Sequence, residues 1–228
     1  MKQYFQYTRS PWYSYLFALP LLALYQVVVL LANLGERRQV INGADALVQS
    51  LLGNIGIHGW LLSGVAVAVI AGAIAYHIDA AHRKGAVRKE YFGLMLAESA
   101  AYALVLGSIA AFLTSLILPG GAFLQIGGGS LSFKQQLAAG LGAGLYEELV
   151  FRLGLTGGLI WALRKLQWKP GAVIVVAVLA SSFVFSLFHY VGPYGEALQL
   201  TSFTFRFVAG VLLAALYSAR GFAVAAWT

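Results

Sequence analysis

Apolar runs of membrane-crossing length follow one another along this chain with only short polar breaks between them, and that pattern decides the fold class. A helix needs about 20 apolar residues to cross a hydrocarbon core, where every backbone polar group must be satisfied inside the protein. The runs are Trp12–Leu34, Trp60–Tyr76, Tyr91–Leu118, Leu137–Leu163, Gly171–Val191 and Phe205–Ala219. They predict an all-α, polytopic transmembrane helical bundle of about six full spans, with a truncated seventh beginning at Gly221. Of 228 residues, 60% are hydrophobic and 10% charged, which excludes an ordinary soluble domain. Residues 1–228 read as a single integral membrane domain.

The polar breaks carry the topology. With the amino terminus inside, the inner segments hold Lys2, Arg9, Arg83, Lys84, Arg88, Lys89, Arg164, Lys165, Lys169 and Arg220, against Arg37, Arg38 and Lys134 outside. Basic loops stay cytoplasmic, so a cytoplasmic amino terminus is expected, in a plasma membrane of bacterial type. The net charge of +7 is used up in these clusters and does not point to nucleic acid. Absence of cysteine removes disulfides, thiolate nucleophiles and Cys-ligated metals. Gly127–Gly129 reads as an outer loop, because no GKS or GKT follows it to make a phosphate cradle. Ala46–Ile57 is too short to span and reads as interfacial or re-entrant. Gly221–Thr228 supplies roughly 12 Å of helix at 1.5 Å per residue, and the expectation is a piece of a longer protein.

One span is unlike the others. Glu147, Glu148 and Arg152 interrupt the run from Leu137, and charge at bilayer depth costs roughly 2.5 to 3.5 kcal/mol per group on insertion scales. Such groups face a protein interior or a watery cavity, so they mark a functional site. On α-helical spacing Glu148 and Arg152 share a face and can pair, with Glu147 about 100° away. Gly140 and Gly144 stand in small-xxx-small spacing, which lets a neighbouring backbone approach. The next span carries Phe185 and His189 four residues apart, and the short link Lys165–Pro170 makes the two helices neighbours. A carboxylate and an imidazole facing across packed helices can take a proton from a water between them, which is the chemistry of hydrolysis.

Glu-Glu-x-x-x-Arg at Glu147, Glu148 and Arg152, followed by Phe-x-x-x-His at Phe185 and His189, resembles the CPBP family of intramembrane proteases. That is the CAAX-protease and bacteriocin-processing group, which includes the eukaryotic prenyl-protein endopeptidases. The resemblance covers about residues 137–228. It implies that Glu147 and His189 activate a water for peptide hydrolysis, that Glu148 and Arg152 support the site, and that Phe185 packs beside the histidine or lines the substrate groove. The implied partner is a peptide or protein substrate in or at the bilayer. The family has a third motif, a histidine followed four residues on by Asn, Asp or Ser, which is thought to stabilise the oxyanion. No histidine follows His189 here, so the expectation is that this motif lies past Thr228 and that the chain alone is catalytically incomplete.

Other readings stay open. The three charges could be a structural ion cluster, and Phe185 taken alone would be core. Glu98 in the third span could join the site, pair with a basic residue or sit near the inner interface. Glu147, Glu148 and His189 could hold a metal such as zinc with one position left for water, although no His-Glu-x-x-His spacing occurs; a metal-free site is favoured. A non-catalytic scaffold or immunity-type homologue and a proton-coupled transporter are the alternatives to a protease. Substrate identity and oligomeric state are left open.

Overall fold

A computed structural model describes residues 2–34, 41–80, 87–118, 131–192 and 195–228. Arg37, Arg38, His82, Arg83, Lys84 and the glycines Gly127–Gly129 lie outside the described residues. Those described are helical, without a strand: α1 (Lys2–Thr8), α2 (Pro11–Asn33), α3 (Gly43–Gly53), α4 (Trp60–Ala80), α5 (Glu90–Ile117), α6 (Phe133–Gly142), a π-helix (Ala143–Thr156), α7 (Gly157–Lys165), α8 (Pro170–Phe188), α9 (Leu200–Arg220) and α10 (Phe222–Trp227).

Five of these, α2, α4, α5, α8 and α9, are long and apolar enough to cross a membrane. Their apolar side chains are not all turned inward: Val69 is 65% exposed and Leu104 81%. Water would penalise such surface over whole helices, and lipid does not. The chain is an integral membrane protein with an all-helical membrane fold.

The run predicted as a fourth α-helical span, Leu137–Leu163, is instead composite, with α6, the π-helix and α7 in succession. In the middle section hydrogen bonds reach from residue i to i+5, which widens the turn. Thr156 reinforces that register, its Oγ1 donating to the Phe151 carbonyl five residues back at 2.8 Å. Of the glycines ahead of the acidic pair, Gly140 meets nothing within 4 Å among the described residues, contrary to expectation. Gly142 and Gly144 are the ones with close neighbours. A Cβ on Gly142 would lie 2.7 Å from Asn42 Cβ and 2.9 Å from the Tyr25 ring, and one on Gly144 would lie 2.6 Å from the Ala226 carbonyl oxygen.

The chain falls into two compact units, the first of Met1–Ser99, Gly128–Glu148 and Arg220–Thr228, the second of Ala100–Gly127 and Leu149–Ala219. In the first, α2 is the central element, with α1, α4, α6 and α10 packed on it. Ser10 caps α2 by accepting from the Tyr13 N–H, Pro11 pre-sets its first turn, and Tyr13, Phe17, Leu21 and Tyr25 bury its inner face. Gly221, at φ +89, makes the turn from α9 into α10, a backbone conformation that L side chains rarely adopt. α10 is then tied down at both ends. Ser99 Oγ donates to the Val224 carbonyl at 3.1 Å, and Trp227 Nε1 donates to the Phe17 carbonyl at 2.8 Å.

Where α5 begins and α9 ends, the first unit holds a buried ion pair. Arg220 donates to both oxygens of Glu98, the second contact at 2.7 Å, and its guanidinium lies 4.4 Å from the Phe5 ring. Tyr4 donates to Glu98 at 2.7 Å, and Arg220 also reaches Thr8 Oγ1 at 3.2 Å. Arg220 is thus a packed interior residue, where the sequence placed it among the charges of the inner segments. In the second unit α7 packs on α8, as the short link between them predicts. Thr156 Oγ1 donates to Ser181 Oγ at 2.7 Å, and Ser186 Oγ donates to the Phe203 carbonyl at 2.7 Å.

Two ion pairs among the described residues, Glu98–Arg220 and Glu196–Arg206, differ in exposure, and that difference sets what each is worth. Glu98 and Arg220 side chains are 16% and 6% exposed, whereas those of Glu196 and Arg206 are 54% and 21%. Arg220→Gln is expected to lower stability by about 3 kcal/mol and Glu196→Gln by less than about 1 kcal/mol, read as unfolding midpoints in detergent.

Candidate active site

The acidic pair sits in the π-helix, an element that recurs at functional sites because its wider turn re-aims side chains. Glu148 is buried and Glu147 half-buried, both in the first unit. Glu147 is held by a residue that the sequence reading passed over. Asn42 Nδ2 donates to Glu147 Oε1 at 2.9 Å. The same side chain caps α3, its Oδ1 accepting from the Ala44 N–H at 2.8 Å. Because the oxygen is committed to the helix end, the amide nitrogen is the atom turned to the carboxylate. Gly142 permits this arrangement, since any larger residue there would collide with Asn42.

Asp45, three residues on, was also passed over, although Asn followed three positions later by an acid is a helix-start pattern. It is 2% exposed, with Tyr25 Oη donating to one oxygen at 2.6 Å and Gln49 Nε2 to the other at 3.0 Å. Burial pushes the Asp45 carboxyl above the ordinary carboxylate range, and the two hydrogen bonds oppose that rise.

The second unit brings Arg152, Phe185 and His189 together. The fully buried Arg152 guanidinium lies 4.5 Å from the Phe185 ring centroid, and the Phe185 and His189 rings meet edge to face at 5.0 Å. Phe151 packs against Phe185 as well, at 5.2 Å. Phe185 is therefore a spacer between a cation and an imidazole, a role that spacing alone could not distinguish from core. His189 closes the end of α8, and its Nδ1 stands 2.9 Å from the Phe185 carbonyl oxygen. A carbonyl only accepts, so Nδ1 carries the proton and Nε2 is the basic atom of the neutral ring.

Glu98 lies in the Arg220 ion pair described above. Among the described residues no three His, Asp or Glu side chains converge as a metal-ligand set.

Comparison with known proteins adds a further observation. Residues 129–228 match the family of Rce1-like, type II CAAX prenyl endopeptidases. The resemblance read from the two motifs is borne out over that part of the chain. The match takes in Glu147, Glu148, Arg152, Phe185 and His189 and leaves Asn42, Asp45 and Glu98 outside it. No curated protein and no solved structure matches the chain.

Two measurements check this geometry. Asn42→Ser keeps a capping oxygen but is too short to reach Glu147, so a double-mutant cycle with Glu147→Gln is expected to give a coupling of about 0.5 to 3 kcal/mol in unfolding free energy. For Asp45, the unfolded carboxyl ionises first as pH rises, so the folded state holds the extra proton between the ordinary value and the raised one. Stability is expected to fall as pH rises through that window, and Asp45→Asn should flatten the fall in thermal unfolding across pH.

Proposed function

We propose that this protein is an intramembrane endopeptidase that hydrolyses a peptide bond of a membrane-associated or lipidated substrate. The observation that carries the reading is where the CAAX prenyl endopeptidase match falls. It covers the two charged and aromatic motifs that the sequence singles out inside membrane helices. In this reading Glu147, oriented by Asn42, takes a proton from a water whose oxygen attacks the scissile carbonyl carbon. The C–N bond then breaks, and the proton passes to the leaving nitrogen. His189 joins Glu147 in activating the water through Nε2, because its Nδ1–H is committed to the Phe185 carbonyl. Arg152, stacked on Phe185, fixes the ring against which the imidazole rests. Glu148 supports the same centre. No step passes through a metal.

A hydrolytic site fits the cost of its parts. Nothing in the packing of an apolar helix requires adjacent carboxylates, whereas general-base catalysis requires a carboxylate kept near water and held in one orientation. In this reading the amino terminus lies on the cytoplasmic side, which the asymmetry of the basic loops supports.

The test is cleavage of a lipid-embedded peptide library, prenylated carboxyl-terminal peptides included, by the full-length protein in liposomes. Glu147→Ala and His189→Ala are each expected to lose about 10² to 10⁴ in turnover while remaining folded. Cleavage that survives Glu147→Ala, or no cleavage by folded wild type, would overturn the assignment in favour of a scaffold or a carrier. An arm with chelator, followed by zinc, reads metal dependence directly.

A further inference from the structure

The second unit carries more positive charge than its own acids can answer. Between Leu149 and Ala219 the only acidic residue is Glu196, and Arg206 holds both of its oxygens at 2.9 and 2.8 Å. Arg164 and Lys165, in the last turn of α7, are exposed, and among the described residues no acidic side chain pairs with either. The helix end favours cations there, but only by a few tenths of a kcal/mol to about 1 kcal/mol, so it leaves their charge largely unmet.

These two cations line a cavity of about 460 Å³ together with Gly157, Ile160, Trp161 and Tyr217. Four of the six, Gly157, Ile160, Trp161 and Arg164, follow helical spacing along one stripe of α7. Tyr217 comes from α9, and its hydroxyl lies 3.0 Å from where a Cβ on residue 157 would sit. The tyrosine reaches α7 because that residue is glycine. The rest of the lining is apolar and aromatic, and Trp161 is 66% exposed. Trp168, in the loop that follows, is 47% exposed, and exposed tryptophan beside basic residues at a span end belongs to the headgroup level of a bilayer.

We infer that this groove binds an anionic phospholipid, with Arg164 and Lys165 on the phosphate and Trp161, Ile160 and Tyr217 against the glycerol and the first carbons of the acyl chains. Arg164 supplies paired N–H donors in the geometry of phosphate oxygens, and Lys165 adds a point charge. The volume suits a headgroup and exceeds the needs of a lone ion. With the basic loops cytoplasmic, as in the reading proposed above, the pocket also faces the leaflet richer in anionic lipid. The inference stands apart from the hydrolytic site, because none of its residues belongs to the two motifs.

The experiment uses the full chain, delipidated in detergent and titrated with short-chain phosphatidylglycerol, short-chain phosphatidylcholine or inorganic phosphate, following the melting temperature. Phosphatidylglycerol alone is expected to raise it. Arg164→Gln/Lys165→Gln is expected to weaken the apparent affinity by at least about tenfold, while Lys169→Gln, a charge removed just outside the groove, leaves it nearly unchanged. Equal responses to the two lipids, or equal losses in the double variant and in Lys169→Gln, would show diffuse interfacial charge and overturn the site. A full response to inorganic phosphate would make it a plain anion site and overturn the lipid assignment. Should the double variant fail to fold, wild type and Trp161→Phe in nanodiscs answer the same question. Brominated phosphatidylglycerol must quench a component of the fluorescence that brominated phosphatidylcholine does not and that Trp161→Phe lacks; absence of that component counts against the groove.

Discussion

The buried ion pair between Glu98 and Arg220 is the constraint on which the first unit depends. Neither charge is tolerable in an apolar interior alone, and an isolated one costs several kcal/mol more than a satisfied pair. Glu98 is answered by a guanidinium that lies 122 residues away in sequence and by the Tyr4 hydroxyl, so α1, the start of α5 and the end of α9 must meet at one place. Burial raises the Tyr4 phenol above its ordinary value and the neighbouring Glu98 carboxylate adds to the rise, which keeps it a hydrogen-bond donor. Arg220 in turn fixes where α10 starts, and Gly221 supplies the backbone conformation for the turn. From there Ala223–Ala226 are buried, and the Ala226 carbonyl meets Gly144, three residues before Glu147.

The segment that carries the acidic pair is held within each unit by that unit's own contacts. In the first unit Gly142, the last residue of α6, meets Asn42 and Tyr25, and Gly144 meets α10; in the second unit Thr156 is bonded to Ser181 of α8. The i→i+5 register widens the turn along this stretch, and Thr156 reinforces it through the Phe151 carbonyl.

The motifs themselves were legible in the sequence because ionisable residues are rare in membrane spans. Glu147, Glu148 and Arg152 stood out against an apolar background, and His189 stood out by its spacing from Phe185 in the following span. Asn42 and Asp45 did not, because they lie in a polar connection where such residues are ordinary. Glu98 was visible as a charge in a span, yet its partner could not be named, since pairing over 122 residues follows from packing and leaves no local pattern. Gly140, Gly142 and Gly144 looked alike by composition, and only their neighbours separated the two that need to be glycine from the one that does not.

By itself, then, the sequence determined that the chain is helical and membrane-embedded, because hydrophobic run length and backbone hydrogen bonding in lipid leave no other solution. It also singled out the residues that the proposed chemistry uses, through the cost of placing charge among apolar side chains, and the family resemblance of the carboxyl-terminal part. Tertiary structure decided the rest: the π register of the fourth hydrophobic run, the capture of Glu147 by Asn42, the stacking of Arg152, Phe185 and His189, and the partner of Glu98. Those depend on close approach between segments far apart in the chain. Close approach is governed by shape and by the satisfaction of buried polar groups, and periodicity along one segment carries neither.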